Sequence, residues 1–186
     1  MQQIDLTNQF LISMPNLKDP NFEKTVTYIC VHNEEGAMGI VINKPLEIGL
    51  GEIFEQMDIP VNNLQANKQK IFQGGPVHID HGFILHQTSK EWNSSIIVSP
   101  ELCVTTSKDI LEAIAEGEGP DESLIALGYA GWSAGQLEQE LMNNAWLNGP
   151  VDLEIIFNTS SEQCWQSAAN HIGVDIDKLS SDIGHA

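Results

Sequence analysis

Two hydrophobic rhythms alternate along this chain. Period-two or continuous apolar runs predict strands at Phe10–Met14, Thr25–Val31, Ala37–Ile42, Gly82–His86, Ser95–Val98 and Val151–Phe157, with Val104–Thr105 a short further one. Asn33-Glu34-Glu35-Gly36 joins the second and third of these, which predicts a β-hairpin. Its strands carry apolar residues on both faces, Val26, Tyr28 and Cys30 against Ile29 and Val31, so a central place in the sheet is expected. The helical rhythm appears first at Leu50, Ile53, Phe54 and Met57, spaced i, i+3, i+4 and i+7, and stops at Pro60. The polar Val61–Lys70 segment reads as a loop. Thr106 with Asp109 reads as a capping box for a helix whose inner face is Ile110, Leu111 and Ile114. Ser160 or Ser161 caps a last helix bearing Trp165, Ala168, Ala169 and Ile172, and Val174–Ala186 reads as a loosely packed tail. Strands occur both in hairpins and between helices, so the expected class is α+β with a mixed sheet in a single domain, residues 1–186.

One stretch organises the rest. Leu124–Leu127 reads as a strand entering a glycine-rich turn at Gly128, Gly131 and Gly135, and leaves as a helix with Leu137, Leu141 and Ala145 on one face. The turn contains Gly131-Trp132-Ser133-Ala134-Gly135, which matches the G-x-S-x-G elbow of serine hydrolases. As a nucleophile, Ser133 needs an acid and a base downstream, and Asp152 or Glu154 with His171 or His185 supply the residue types. Ser133 and Gln136 also complete an S-x-x-Q capping box, a role worth about 1 kcal/mol. The two roles conflict: an elbow serine exposes its oxygen, whereas a cap serine turns it toward the helix amides. Capping accounts for every residue in view, so no catalytic residue is assigned and the hydrolase stays the alternative.

Charge narrows the partners. Twenty-six carboxylates face eight basic residues, all of them lysine, for a net charge of −18. Nucleic-acid affinity comes largely from cations on phosphates, so this balance opposes nucleic-acid binding, and it repels anionic lipid as well. Nothing approaches the roughly 20 apolar residues of a membrane helix, and the N-terminus lacks a basic signal region. Cys30, Cys103 and Cys164 are odd in number and far apart, which suits reduced thiols in the cytoplasm. His78, His81 and His86 follow H-x-x-H-x-x-x-x-H with Asp80 between the first two; the first two fall in a turn, so the three read as solvated loop histidines, with no metal and no cofactor. Asn43-Lys44-Pro45 ends a strand and Gly74-Gly75-Pro76 is a turn. Brought beside Gly131 and Trp132, residues Asn43, Lys44, Gly74 and Gly75 would form a pocket with one cation and several donors.

Seven motifs, in order, run along nearly the whole chain: Phe10-Leu-Ile-Ser-Met-Pro15, Asp19-Pro-Asn-Phe22, Gly36-Ala-Met-Gly-Ile-Val-Ile-Asn-Lys-Pro45, Gly74-Gly-Pro-Val77, Gly128-Tyr-Ala-Gly-Trp132, Gly135-Gln-Leu-Glu138 and Gly184-His-Ala186. Together they resemble the AlgH/YqgE family of small bacterial proteins. The resemblance implies a bifurcated sheet curled into a pseudo-barrel and packed by helices. It fixes no activity; with no credible catalytic constellation in the sequence, the expected function is a non-enzymatic cytoplasmic binding or regulatory domain of this type, acting through a protein partner or a small molecule. Some members are labelled transcriptional regulators, which makes direct DNA binding a second alternative that the charge opposes. Two positions depart from the family pattern. Lys44 stands where arginine is more frequent, which keeps the cation and loses the planar fork, and Ser133 stands where many relatives carry glycine, which weakens the hydrolase reading.

Overall fold

The computed structural model describes residues 4–88 and 90–183. Among these, the order is β1 (Gln9–Ser13), β2 (Val26–Asn33), β3 (Gly36–Val41), β4 (Pro45–Gly49), α1 (Leu50–Gln56), a 3₁₀ turn (Leu64–Lys68), β5 (Lys70–Gln73), β6 (Val77–Gln87), β7 (Ser95–Ile97), β8 (Leu102–Thr105), α2 (Lys108–Glu116), β9 (Ser123–Ser133), α3 (Gln136–Met142), β10 (Trp146–Pro150), α4 (Leu153–Phe157), α5 (Ser161–His171) and α6 (Ile176–Ile183). One sheet holds all ten strands in the order β10-β1-β2-β3-β9-β6-β8-β7, with β4 and β5 on a branch. It curls into a half-barrel, and the chain is α+β.

The branch point is β9. Its first half lies antiparallel to β6, with Ile84 opposite Ile125, and parallel to β5, with Ile71 opposite Ile125. Its second half lies against β3, with Met38 opposite Gly131. Strand alternation shows how the switch is made. Leu124 and Ala126 enter the largest core, beneath α4 and α5, whereas Ile125 and Leu127 face α1 and α2 in a second. Beyond Gly128, Tyr129 packs on the first core again, and Ala130 with Trp132 enters a third core around α3. Gly128 therefore shifts the parity of the strand by one residue. It does so at φ +79°, and a Cβ there would lie 2.4 Å from the Gly75 carbonyl oxygen; only glycine takes that backbone at that distance.

Several expectations need correction. The glycine-rich turn is a continuous strand: β9 runs through Gly128 and Gly131 as far as Ser133, because partner strands take up its hydrogen bonds along the way. The predicted strand Val151–Phe157 is a helix, α4, started by Asp152, whose carboxylate accepts from the Glu154 amide at 2.9 Å. Ile155 and Ile156 are both buried, which an alternating strand with one covered face would not allow. Within the described residues the tail is not loose, since α6 forms and Ile176 is fully buried; residues 184–186 of the predicted tail lie outside the described residues. Helix α2 is capped from Ser107, one residue after Thr106, with Ser107 Oγ bonded to the Asp109 carboxylate. Gly74-Gly75 is a buried extended link whose Gly74 donates to Leu127 O and accepts from Val41 N, rather than an exposed turn.

Candidate functional site

The G-W-S-A-G segment forms a brace. Trp132 is 6% exposed and Trp146 is 4% exposed, and their indole N–H groups both donate to Glu140 Oε1, at 3.2 and 3.0 Å. Gln136 Nε2 donates to the other Glu140 oxygen, while Gln136 Oε1 accepts from Ser133 N at 2.9 Å and Ser133 Oγ at 3.2 Å. The cap of α3 is Gly135, so Ser133 does not cap the helix as the S-x-x-Q spacing predicts; its hydroxyl donates to the Gln136 side chain and not to a helix amide. The rest of α3 is held by Glu138, whose Oε1 lies 2.5 Å from His32 Nε2. His32 Nδ1 accepts from the Leu6 amide, which leaves Nε2 carrying the proton that Glu138 receives. The Glu138 amide and the His32 contact hold that carboxyl below the usual carboxylate range.

No hydrogen bond among the described residues joins Ser133 to a histidine. His171 sits at the end of α5 with Nδ1 3.8 Å from Asp152 Oδ2, and His185 lies outside the described residues. Lys44 Nζ donates to the carbonyls of Pro20 and Asn21, at 3.0 and 3.4 Å, and Asn43 is buried with its side chain bridging Val26 N and Lys24 O. Gly74 and Gly75 press their backbones on β9, and Trp132 packs with Phe22 and Trp146 in the third core. Asn43 and Lys44 thus lie in the link between β3 and β4, Gly74 and Gly75 in the link between β5 and β6, and Gly131 and Trp132 on β9.

The three histidines also separate. His78 and His81 lie on β6, where the six residues Val77–Gly82 oppose three of β9, Leu127–Tyr129, and their rings stack at 5.1 Å in the open. His86 is fully buried, contrary to the solvated reading. Its Nδ1–H donates to Gln87 O at 2.8 Å, so Nε2 accepts from Thr105 Oγ1 at 2.7 Å, and Thr105 accepts from Ser95 Oγ at 2.7 Å. Burial lowers the His86 pKa from its ordinary 6.5. The unfolded chain therefore takes up this proton first as the pH falls. Stability from neutral His86 is fully present above 6.5 and is lost progressively from there down to the depressed folded value. Urea midpoints measured above and below the ordinary histidine range will show this acid loss, and His86→Gln will reduce it. Among the described residues, no group of three or more His, Cys, Asp or Glu side chains is placed to hold a metal ion. Burial pushes the Cys30 and Cys164 thiols up to about 12, which makes both poor nucleophiles at neutral pH.

Concave space lies elsewhere. A cleft of about 610 Å³ opens between α1, β6 and the start of α2. Ile53 from α1, Met57 at its C-terminal cap and Leu127 from β9 line it half-buried, with Phe83 and Ile125 beneath. Gln56, Asp80, His81 and Lys108 stand at the cleft, and among the described residues none of these four side chains has a hydrogen bond or an ion pair. A second hollow of about 510 Å³, beside Gly117–Ser123, is lined by amides and carboxylates already bonded to their neighbours, such as Gln69 to Ser123 and Asn158 to Glu122. Sequence periodicity identifies Ile53 and Met57 only as an inner helix face; the cleft depends on Lys108 and His81 arriving from distant positions, for which no local signal exists.

A family model described as AlgH-like matches residues 10–177. A UPF0301 protein of Thioalkalivibrio sulfidiphilus is 56% identical over 182 residues, covering 98% of this chain and 97% of that one. Another, of Hahella chejuensis, is 54% identical over 181 residues, covering 97% and 96%. The solution structure of the AlgH protein from Pseudomonas aeruginosa is similar at a TM-score of 0.81 and 46% identity, over 100% of both chains. The crystal structure of protein DIP2367 from Corynebacterium diphtheriae shares the fold at a TM-score of 0.76 and 16% identity, over 97% of this chain and 94% of that one. Among the described residues, no helix is long and apolar enough to cross a membrane.

Proposed function

We propose that this chain, which belongs to the AlgH-like family, is a non-catalytic binding domain of the cytoplasm that takes a small amphipathic molecule in the cleft between α1, α2 and β6. The observation that carries the reading is the mismatch at that cleft: half-buried apolar side chains below, and around them polar side chains that, among the described residues, have no hydrogen-bond or ion-pair partner. Such a surface gains by covering the apolar floor, at about 25 cal/mol per Å² removed from water. Lys108 and His81 supply donors to an acidic head group, and Asp80 offers an acceptor for a hydroxyl or amide on the same molecule. The placement of Ser133, bonded to Gln136 and, among the described residues, to no histidine, supports a role without turnover.

Titration with octanoate or decanoate, followed by backbone amide NMR, tests the reading. Shifts are expected at Ile53–Met57, at 80–84 and at 106–111, and Leu127→Trp, which fills the floor, is expected to weaken binding about tenfold or more. Shifts confined to other surfaces, or none at millimolar ligand, would overturn it. The hydrolase reading returns if the wild type, but not Ser133→Ala, reacts with a fluorophosphonate. Direct DNA binding returns if a duplex is retarded at physiological salt, against the −18 charge.

A further inference from the structure

The two outer edges of the sheet are finished differently. At β10, Pro150 ends the strand, and Ile172 lies so close over Gly149 that a Cβ there would fall 2.1 Å from it. At β7, the three residues Ser95, Ile96 and Ile97 are all exposed, the two isoleucines by 46% and 69%.

The hydrogen-bond register shows what that edge offers. Ser95 faces Thr105 and Ile97 faces Cys103. The bonds to β8 run from Thr106 N to Ser94 O and from Val98 N to Leu102 O. In an antiparallel pair the bonded positions alternate, so Ser94, Ile96 and Val98 point their backbone groups at β8. Ser95 and Ile97 point theirs away. Two N–H groups and two carbonyls therefore form an open ladder, and no other described strand pairs with it. Beside the ladder is a cleft of about 330 Å³, lined by Ser95, Ile97, Cys103, Thr88 and Trp92. Apolar, unpaired edges are normally blunted with lysine, proline or a bulge. Ser95-Ile96-Ile97 carries none of the three, and only its length of three residues limits what can pair with it.

We propose that β7 is a docking edge for an extended segment of a basic partner protein, which adds a strand to the sheet and places one apolar side chain in the cleft beside Trp92. The short ladder limits the main-chain pairing to four groups, so the side chain in the cleft supplies much of the affinity. Charge selects the occupant. Glu91 lines the same cleft, Glu101 lies exposed in the turn to β8, and the one lysine there, Lys90, has its amine on the Glu118 carbonyl. Set in a chain of net charge −18, the edge attracts a cationic strand and repels a second copy of the same chain.

The probe is a synthetic peptide alternating valine with lysine, compared with a valine–glutamate peptide of equal length. Hydrogen exchange of the full chain is followed by NMR. The lysine peptide is expected to slow exchange at Ser95 and Ile97 about tenfold or more, with little effect from the glutamate peptide. Ile97→Pro removes one outward N–H and leaves the β8 ladder intact, since its own amide does not bond β8; proline is tolerated at such edge positions. It is expected to keep the far-ultraviolet circular dichroism of the wild type and to lose peptide protection. Ile97→Lys gives the same loss should the proline variant fail to fold. Equal protection by both peptides, or none, overturns the proposal. So does concentration-dependent protection of β7 in the chain alone with a dimer in sedimentation, which would identify a second copy as the occupant.

Discussion

Gly75→Ala removes about 4 kcal/mol or more of folding stability, a large part of the 5–15 kcal/mol typical of a domain. Gly75 has φ +156°, and a Cβ built on it would lie 2.0 Å from the Tyr129 carbonyl carbon and 2.4 Å from Ala130 N. These are main-chain atoms of β9, which is held by β3, β5 and β6. Relief requires β9 to move, and moving β9 disturbs all three cores it feeds. The strained backbone adds to the clash, since an L-residue is seldom found at that φ. Urea denaturation checks the magnitude, with Gly82→Ala as the control. The Gly82 Cβ would meet only the Ile84 side chain at 4.0 Å, so that variant is expected to stay within about 1 kcal/mol of the wild type.

The second large effect belongs to Glu140. Glu140→Ala leaves the N–H groups of two buried tryptophans without their common acceptor. A buried donor left unpaired costs about 1–3 kcal/mol, so a total near 3 kcal/mol is expected. Glu140→Gln keeps an oxygen in place and is expected to lose less than half of that. Chemical denaturation gives the energies, and the emission of Trp132 and Trp146 reports whether the indoles shift. Ser133→Ala, by contrast, deletes one exposed hydroxyl while the Ser133 amide stays bonded to Gln136, and is expected to cost about 0.5 kcal/mol or less. A larger loss there would mean that Ser133 holds more than one end of a surface hydrogen bond.

These two positions also show where sequence reading succeeds and fails. The hairpin of β2 and β3 and the amphipathic face of α2 are legible because alternation and 3.6-residue spacing are local properties. The segment ending in Leu153–Phe157 misleads because Leu153, Ile155 and Phe157 alternate while Ile156 is buried too; the Asp152 cap decides for helix. Glu140 reads as one more surface carboxylate, although two indoles converge on it from β9 and β10. His86 reads as a loop histidine, although β8 and β7 supply the hydroxyls that let it be buried neutral.

By itself the sequence determined the family, the α+β class and a strongly acidic character, because motif order, periodicity and charge are all properties of the chain read in one dimension. Only the tertiary structure decided what Leu124–Trp146 is. Gly128 is the point where its strand changes the core each face enters, Gly135 caps the helix that follows, its serine bonds a glutamine, and its tryptophans share a carboxylate. The same holds for the cleft at Lys108 and the open edge at β7. Each depends on which backbone groups find partners and which do not, and that is fixed by contacts between residues far apart in the chain.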